Sequence, residues 1–316
     1  MKQNEIGNSG IQVTQIAMGC WPIAGVTTVG VTKQAAMSTL RGAFESGINF
    51  FDTAFVYGYE GESEKYIAEA LGGIRDEIVL ATKGGSHWEE GKNKRGGRPE
   101  RLTQELEESL KRLKTDVVDL YYLHGPDPEC PIEESAEAVA RFVREGKAKS
   151  AGLCNATLDE IKRFHAICPL SAYQGRFSML QQEVTEEILP WCRENNVSFM
   201  PFWLLMKGLL AGKIERDHQF EEGDTRKNYP LFQGEQWQRN QDFVDVLRSL
   251  AQETGHTVSQ LVVNWTISLP GVTAALCGAR RPEQIRETAI AAEFSLSDAH
   301  RQQIEDAITE RLKYEH

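Results

Sequence analysis

Short apolar runs alternate with longer amphipathic segments along nearly the whole chain, starting at Gln15. The short runs have the length and composition of strands buried on both faces, and the longer segments carry apolar residues at helical spacing. This alternation is typical of repeated βαβ units and a parallel sheet. We count eight strands and eight helices, which predicts one α/β domain, a (β/α)8 TIM barrel, over residues 1–316.

The predicted strands span residues 16–20, 47–52, 78–83, 117–123, 148–153, 171–174, 197–201 and 272–277. The predicted barrel helices span residues 32–46, 61–71, 99–114, 132–145, 157–166, 183–195, 257–268 and 282–292. Threonine suits a helix N-cap because its hydroxyl accepts a backbone N–H, and proline suits the first turn because it lacks an N–H. Six predicted helices start with such residues: Thr32, Thr157, Thr257, Pro99, Pro131 and Pro282.

Other segments do not fit the alternation. Residues 3–13 alternate around an Asn-Ser-Gly turn and predict a short hairpin before the barrel. Helical segments at 240–254 and 297–312 are expected to be additions to the barrel. Long irregular connections are predicted at 84–98 and 203–238. Both follow a strand, so we expect them on the catalytic rim, as lids or binding loops.

Composition narrows the class of protein. Hydrophobic residues make up 41% and charged residues 26%, as in soluble globular proteins. A membrane span needs about 20 apolar residues in a row, which the chain lacks, and its start lacks a signal-peptide core, so we expect a cytoplasmic protein without a membrane partner. A net charge of −11 argues against a nucleic-acid partner. The six cysteines form no CxxC pair, which predicts reduced, buried thiols and no metal site.

Four residues that carry chemistry lie just past three successive predicted strands. Asp52 ends an apolar run, and Tyr57 follows five positions later in a glycine-flanked loop. Lys83 ends the next strand, and His124 follows the one after. Adjacent barrel strands lie about 5 Å apart, so these side chains can converge on one site. Any one of these residues alone would be interpreted as having a structural role. Together, at the ends of successive strands, the four favour a catalytic site.

The four residue types together suit proton donation. A tyrosine has an ordinary pKa near ~10, which is too high for ready proton donation at neutral pH. The ammonium of Lys83 favours the phenolate and lowers this pKa, while Asp52 keeps the lysine charged and in place. Tyr57 is therefore the predicted general acid, and His124 can hydrogen-bond the oxygen that receives the proton. Clustered ligands at metal spacing are absent from the sequence, which argues against a metal-dependent hydrolase.

At these residues the chain resembles the aldo-keto reductase superfamily, in its bacterial general branch. The matching segments occur in family order across essentially the whole chain: INFFDTAFVYG, IVLATKGG, RLKTDVVDLYYLHGPD, GLCNAT, AYQGRFSML and LCGARRPEQIRE. The resemblance implies that Asp52, Tyr57, Lys83 and His124 are the catalytic tetrad. It also implies a (β/α)8 barrel that binds NADPH without a Rossmann domain. In agreement, the chain has no GxGxxG motif after a strand.

The resemblance implies how NADP(H) is bound. Asn155 and Gln174 match the residues that hold the nicotinamide carboxamide. Phe199, two residues before Pro201, matches the aromatic that stacks under the nicotinamide, with Phe202 as the alternative. The segment GLLAGK resembles the family's loop over the pyrophosphate, and its predicted contacts are Gly208, Leu210, Gly212 and Lys213.

The 2′-phosphate pocket is expected where the last predicted strand meets the last barrel helix, at Gly278, Ala279 and Arg280. A helix N-terminus supplies free N–H groups, and a guanidinium can bind phosphate with two hydrogen bonds. These residues favour NADP(H) over NAD(H). Gln284 and Glu287 match residues that the family places around the adenosine.

Four aromatic residues follow predicted strands and are candidates for the substrate pocket: Trp21, Phe55, Trp88 and Trp203. An aromatic wall suits planar or apolar carbonyl compounds or the faces of sugars. The other interpretation is plain packing beneath the loops, and the sequence leaves both open.

The sequence thus predicts an NADPH-dependent carbonyl reductase that acts reversibly on a small-molecule aldehyde or ketone. One alternative is a regulatory protein that senses redox state through a bound nicotinamide and has little turnover. A third is a barrel isomerase or lyase that uses no nicotinamide. Substrate and oligomeric state are left open by the sequence.

Overall fold

The computed structural model describes residues 1–27 and 30–314. Its strands, in chain order, are β1 (Gln3–Glu5), β2 (Gln12–Thr14), β3 (Ile16–Gly19), β4 (Phe50–Asp52), β5 (Val79–Gly84), β6 (Ser86–Glu89), β7 (Lys92–Arg95), β8 (Val118–Leu123), β9 (Ala148–Cys154), β10 (Ala172–Arg176), β11 (Ser198–Phe202) and β12 (Ala275–Gly278). Its α-helices are α1 (Lys33–Glu45), α2 (Glu62–Leu71), α3 (Pro99–Leu113), α4 (Ile132–Arg144), α5 (Leu158–Ile167), α6 (Ile188–Glu194), α7 (Gly234–Thr254), α8 (Val258–Ser268), α9 (Pro282–Ala289) and α10 (Asp298–Leu312).

One sheet of eight strands forms the centre of the molecule, in the order β11-β10-β9-β8-β5-β4-β3-β12. All neighbours in this order are parallel. The two end strands approach each other at an isolated parallel bridge between Phe199 and Val272. There the N–H of Thr273 donates to the carbonyl of Phe199 at 3.0 Å. The sheet is therefore nearly closed into a barrel surrounded by helices, which confirms the predicted (β/α)8 fold.

Two apolar layers lie on opposite faces of this sheet. Consecutive strand residues point to opposite faces, so Phe50 belongs to the cluster inside the barrel and Phe51 to the cluster under the helices. Leu120 and Tyr121 divide in the same way. Because both faces are covered, the barrel strands read as short continuous apolar runs.

The predicted N-terminal hairpin is present. β1 and β2 pair antiparallel, with Asn4 opposite Val13. Ile6 is fully buried in the cluster inside the barrel. Gly7 follows with φ of +51°, and a Cβ there would lie 2.7 Å from the carbonyl oxygen of Ser171. Only glycine fits at this close approach.

Helix starts follow the predicted signals closely. Thr157 and Thr257 form capping boxes with Glu160 and Gln260, and the Thr32 hydroxyl accepts the N–H of Ala35. Pro99 and Pro282 are the first residues of their helices, while Pro131 lies one position earlier, at the N-cap of α4.

Three predicted segments differ from the structure. Residues 86–95, expected to be irregular, form the antiparallel β6–β7 hairpin. Its turn residues Glu90 and Gly91 both have positive φ, as a tight hairpin turn requires. The helix predicted over 183–195 is a 3-10 turn followed by the shorter α6, so that Pro190 lies in the first turn of α6. α7 starts at Gly234, ahead of the predicted position 240.

All six cysteines are free and buried, as expected. Within residues 1–27 and 30–314, no helix is both long and apolar enough to cross a membrane. Across the same residues, no three His, Cys, Asp or Glu side chains are grouped so that they could hold a metal ion.

Candidate active site

Three adjacent strands carry predicted catalytic residues to the same end of the barrel. Asp52 is the last residue of β4, Lys83 is the last but one of β5, and His124 directly follows β8. Lys83 is opposite Tyr122 of β8, whose side chain belongs to the cluster inside the barrel. Because paired residues share a face of the sheet, Lys83 points into the barrel near its C-terminal mouth.

The ammonium of Lys83 is the centre of the site. Its Nζ donates to Asp52 Oδ2 at 2.6 Å, to the Thr53 carbonyl at 2.7 Å and to the Tyr57 hydroxyl at 3.2 Å. These three bonds use every N–H of the ammonium. Burial lowers the pKa of Lys83, but the negative charge of the Asp52 carboxylate and its hydrogen bond outweigh this effect, and the pKa lies above its ordinary value. Lys83 therefore stays protonated.

The loop that carries Tyr57 is held on both sides of this residue. The indole N–H of Trp88, on β6, donates to the Val56 carbonyl at 2.9 Å and to the Gly58 carbonyl at 3.1 Å. Gly58 has φ of +108°, and a Cβ there would lie 1.9 Å from Glu62 Oε2. Glycine at this position lets α2 begin directly against the Tyr57 loop.

Phe55 is held on the same loop by Arg112 of α3. A guanidinium N–H of Arg112 donates to the Phe55 carbonyl at 3.2 Å, and the guanidinium lies 4.4 Å from the centroid of the Phe55 ring. Arg112 also pairs at 3.3 Å with Glu64, which is fully buried. Phe55 and Trp88 are candidates for the substrate pocket. Their contacts stabilise the Tyr57 loop, which agrees with the interpretation of these aromatics as packing beneath the loops.

Burial controls the acidity of Tyr57. It raises the pKa of Tyr57 to about 12, although the ammonium of Lys83 acts in the opposite direction. The sequence predicted a lowered pKa because the lysine is recognisable in a motif, whereas the degree of burial depends on the whole fold. Tyr57 consequently holds its proton throughout the neutral range.

His124 and Trp21 border the Tyr57 ring. The His124 ring lies 5.8 Å from that of Tyr57 and the Trp21 ring 5.0 Å, each approaching edge to face. Burial, with the charges of Lys83 and Arg95, holds the pKa of His124 well below its ordinary value. The imidazole is therefore neutral at neutral pH.

Gln174 lies behind Asp52. Its Nε2 donates to Asp52 Oδ1 at 2.9 Å, and the residue is 3% exposed. With Lys83 on the other oxygen, both oxygens of the Asp52 carboxylate accept hydrogen bonds from the protein. Gln174, in the middle of β10, therefore helps to orient Asp52, a contact that the sequence does not indicate.

Asn155 lies at the mouth of the barrel in a left-handed conformation, with φ of +56°. Its Nδ2 donates to the His124 carbonyl at 3.1 Å and lies 3.0 Å from Cys154 Sγ. Within the described chain, its Oδ1 accepts no hydrogen bond. Asn155 thus presents an exposed amide oxygen next to His124.

The two phenylalanines of β11 point to opposite faces of the sheet. Phe199 is fully buried under the helices, between the rings of Tyr173 and Phe177. Phe202, three residues later, packs against the cluster inside the barrel and is partly exposed. This arrangement does not support Phe199 as the stacking residue and favours Phe202.

The chain after β11 turns sharply across the rim. Trp203, Lys207, Gly208 and Gly212 all have positive φ, around a 3-10 segment at Met206–Ala211. The Trp203 ring lies 5.0 Å from the guanidinium of Arg176 and 5.5 Å from Lys207 Nζ. Two cations therefore lie against Trp203, just before the predicted pyrophosphate loop, and the sequence motifs do not mark either of them.

The end of this loop is connected to α9. Leu210 is fully buried and anchors the loop, and Lys213 Nζ pairs with Glu287 Oε2 at 2.8 Å. The other carboxylate oxygen of Glu287 accepts the Ser259 hydroxyl at 2.9 Å. Lys213 and Glu287, both predicted cofactor contacts, are thus bonded to each other.

The start of α9 adjoins the end of β12. Gly278 ends the strand, Ala279 is buried, and the Arg280 N–H donates to Gln284 Oε1 at 3.0 Å. The Arg280 side chain is exposed, and it forms no ion pair with any described residue. Pro282 is the first residue of α9.

Sequence reasoning missed Arg95, at the end of β7. Its Nη1 donates to the Ser86 hydroxyl at 2.7 Å and to the His124 carbonyl at 3.2 Å. The sequence does contain a signal for it. The alternation of residues on both sides of Glu90 and Gly91 is typical of a hairpin, and Arg95 ends its second strand.

A buried lysine bonded to an aspartate and a tyrosine, at the C-terminal mouth of a (β/α)8 barrel, is a site suited to proton transfer at a substrate oxygen. The model of the Aldo/keto reductase family matches residues 15–309. The chain belongs to this family of oxidoreductases.

Relatives across the family agree with this assignment. Aldo-keto reductase YhdN of Bacillus subtilis is 35% identical over 288 residues, which cover 90% of this chain and 87% of that protein. An NADH-specific methylglyoxal reductase of Escherichia coli is 31% identical, with 95% and 96% covered. The solved structure of a glycerol dehydrogenase from Gluconobacter oxydans superposes with a TM-score of 0.90 at 31% identity, covering 98% of this chain and 95% of that one.

Proposed function

We propose that this protein is a reversible, NADPH-dependent reductase of small aldehydes or ketones, with Tyr57 as general acid. One observation carries the proposal: the fully buried Lys83 bonds both Asp52 and the Tyr57 hydroxyl at the barrel mouth. This arrangement presents a phenol and its stabilising cation to a substrate oxygen.

Each residue has a distinct task in the proposed reaction. Tyr57, whose burial raises its pKa to about 12, is protonated and donates its hydroxyl proton to the substrate oxygen. Lys83 lowers the cost of the phenolate that results, and Asp52 holds Lys83 in position. The neutral His124 donates a hydrogen bond to the same substrate oxygen.

The residues at the rim fit a nicotinamide dinucleotide. The free amide oxygen of Asn155 suits a carboxamide N–H, and Phe202 offers an aromatic face. The glycines of the loop 208–212, with Lys207 directly before them in the chain, suit a pyrophosphate. When bound, the nicotinamide supplies the hydride that reduces the carbonyl carbon.

We assign the cofactor as NADP(H) because Arg280 has no acidic partner within the described chain and lies at the start of α9. A guanidinium beside a helix N-terminus suits the extra phosphate of NADPH. The Escherichia coli relative is named as NADH-specific, so Arg280 is the residue on which the assignment depends.

Replacement of the general acid tests the proposal. We expect Tyr57→Phe to lower kcat for NADPH-dependent reduction of a panel of aldehydes by about 10²–10⁴-fold, because the phenyl ring has no proton to donate. The dissociation constant for NADPH, measured by quenching of protein fluorescence, should change less than about twofold, since the hydroxyl bonds Lys83 and not the predicted cofactor residues.

Tyr59 provides the matched control, because it lies on the same loop and is 64% exposed. Tyr59→Phe should keep the wild-type rate. Undiminished turnover by Tyr57→Phe would contradict the proposal. Tight NADPH binding by the wild type with almost no turnover of any aldehyde would favour the redox sensor, and absence of NADPH binding would favour an isomerase or lyase.

A further inference from the structure

Arg95 is an exposed cation beside the candidate active site. It ends β7, where it is paired across the hairpin with Ser86 of β6. The hairpin follows β5, the strand that carries Lys83, and it reaches the segment that follows His124. A Cβ on Gly125 would lie 2.8 Å from Arg95 Cζ, so the guanidinium lies directly against the backbone after His124.

The position of this guanidinium is determined by neutral groups. Both Nη1 hydrogen bonds go to uncharged oxygens, the hydroxyl of Ser86 at 2.7 Å and the carbonyl of His124 at 3.2 Å. Ser86 is 1% exposed and is itself part of the hairpin. The arginine is therefore oriented without an ion pair to any residue that the structure describes.

The other edge of the guanidinium, formed by Nε and Nη2, makes no hydrogen bond within residues 1–27 and 30–314, and the side chain has no ion pair there. Neighbouring cations differ in this respect. Lys94 pairs with Glu89 on the hairpin, and Arg101 pairs with Glu105 at 2.8 Å. The chain has 46 acidic against 35 basic residues, so acidic side chains outnumber cations, yet none in the described part of the chain pairs with Arg95.

The free edge has the geometry that binds anions well. Two parallel N–H groups match the two oxygens of a carboxylate or two oxygens of a phosphate. The positive charge of Arg95 also acts on the site electrostatically, since it contributes to the low pKa of His124. An anion on Arg95 would thus lie at the mouth that contains Tyr57 and His124.

We infer that Arg95 forms a subsite for an anionic group, carboxylate or phosphate, on the carbonyl substrate. The inference rests on the proposed function, since it extends the same site from reaction type to substrate class. The substrate would place its carbonyl at Tyr57 and His124 and its anionic group on the free edge of Arg95.

Matched substrates that differ in charge test the subsite. Terephthalaldehydic acid and its methyl ester share an aromatic aldehyde and differ in one negative charge. Glycolaldehyde phosphate and glycolaldehyde form a second pair, which separates phosphate from carboxylate recognition. We expect the wild type to prefer the anion of at least one pair in kcat/KM by about tenfold or more, as a charge-assisted bidentate contact should give.

Three variants of β7 complete the design. Arg95→Met should lower this preference by about tenfold or more, chiefly through KM for the anionic substrate. Lys92→Met removes the same charge from the opposite face of β7 and should leave the preference unchanged. Arg95→Lys keeps the charge without the two-donor edge and should recover part of it.

Each outcome decides the inference. The inference would be overturned if the wild type showed no preference in kcat/KM for either anion. It would also be overturned if Arg95→Met lowered kcat/KM equally for both members of each pair. If none of the four aldehydes is reduced, the proposed function fails instead. Calorimetry with the benzyl alcohol derived from terephthalaldehydic acid then tests the subsite alone, because its dissociation constant should rise about tenfold or more in Arg95→Met and a constant value would refute the subsite.

Discussion

At the scale of single residues, Lys83 governs the site. A fully buried ammonium is costly unless it is hydrogen-bonded and paired, and here oxygens of Asp52, Thr53 and Tyr57 accept its three hydrogen bonds. The same three bonds bring a carboxylate and a phenol together in the barrel mouth. The requirement to satisfy one charge therefore assembles the groups of the proposed proton transfer.

Arg280 allows a residue-scale test of the cofactor assignment. We expect Arg280→Gln to raise KM for NADPH by about 10–100-fold, because a charge-assisted bond to the 2′-phosphate is lost, and to change KM for NADH less than about twofold. Steady-state kinetics with both cofactors measures the change.

The adjacent Arg281 is also exposed and is the control, since Arg281→Gln removes an equal charge at the N-cap of α9. An Arg280→Gln enzyme with an unaltered NADPH to NADH ratio would refute the assignment of the phosphate to this arginine.

At the scale of elements, α3 joins the barrel to the β6–β7 hairpin through one buried acid. Glu105 is 1% exposed, accepts the Gly85 N–H at 2.6 Å and bonds Arg101 at 2.8 Å. His87 of β6 lies 3.8 Å from the same carboxylate. Glu105 therefore connects the helix to the segment between Lys83 and the hairpin that carries Arg95.

Glu105 makes stability depend on pH. Burial raises the pKa of Glu105 from 4.5 to about 7, despite the bonds from Gly85 and Arg101. Between these values the unfolded chain loses the proton while the folded protein keeps it, so the free energy of unfolding falls as pH rises. At about 1.36 kcal/mol per pKa unit, the loss from pH 4.5 to above 7 is about 3 kcal/mol.

We expect Glu105→Gln to lack this loss, because the amide does not ionise. Urea denaturation across this pH range should therefore show the variant gaining about 3 kcal/mol relative to the wild type as pH rises. Glu100→Gln, at an exposed position in the first turn of the same helix, should show a much smaller change. Parallel stability curves for wild type and Glu105→Gln would contradict the expectation.

At the scale of the whole molecule, the N-terminal hairpin strengthens the weakest seam of the barrel. β11 and β12 share only an isolated bridge where the other neighbours share ladders. Beside it, Asn4 donates to the Thr273 carbonyl at 2.8 Å, and the Gly7 N–H donates to the Ser198 hydroxyl at 2.9 Å. The hairpin thus bonds to both sides of the seam and fills the interior below it with Ile6.

Ile6→Ala should lower the free energy of unfolding by about 2–5 kcal/mol, because a fully buried side chain is replaced by a cavity. Urea denaturation measures this change, and KM values should remain at wild-type levels, since the hairpin lies at the end of the barrel opposite the site. Ile290→Ala, at a position that is 41% exposed, is the control and should cost far less. Equal stabilities of the two variants would show that the packing of Ile6 does not stabilise the fold.

Much of the fold was predictable because its determinants are local. Strands buried on both faces must be short and apolar, and threonine or proline marks a helix start by its own chemistry, as Thr157 and Pro99 do. The same local signals place Asp52, Lys83 and His124 at strand ends, and the structure has them there.

Other features were decided by contacts between distant segments. The sequence determined the order of strands and helices and the types of side chain at each strand end, since these follow from periodicity and residue chemistry. Only the tertiary structure decided that Phe199 faces the helices while Phe202 faces the interior, that burial outweighs Lys83 in the pKa of Tyr57, and that Arg95 lies against the backbone after His124. The physical reason is that strand register, desolvation and the reach of a hairpin depend on neighbours that are remote along the chain.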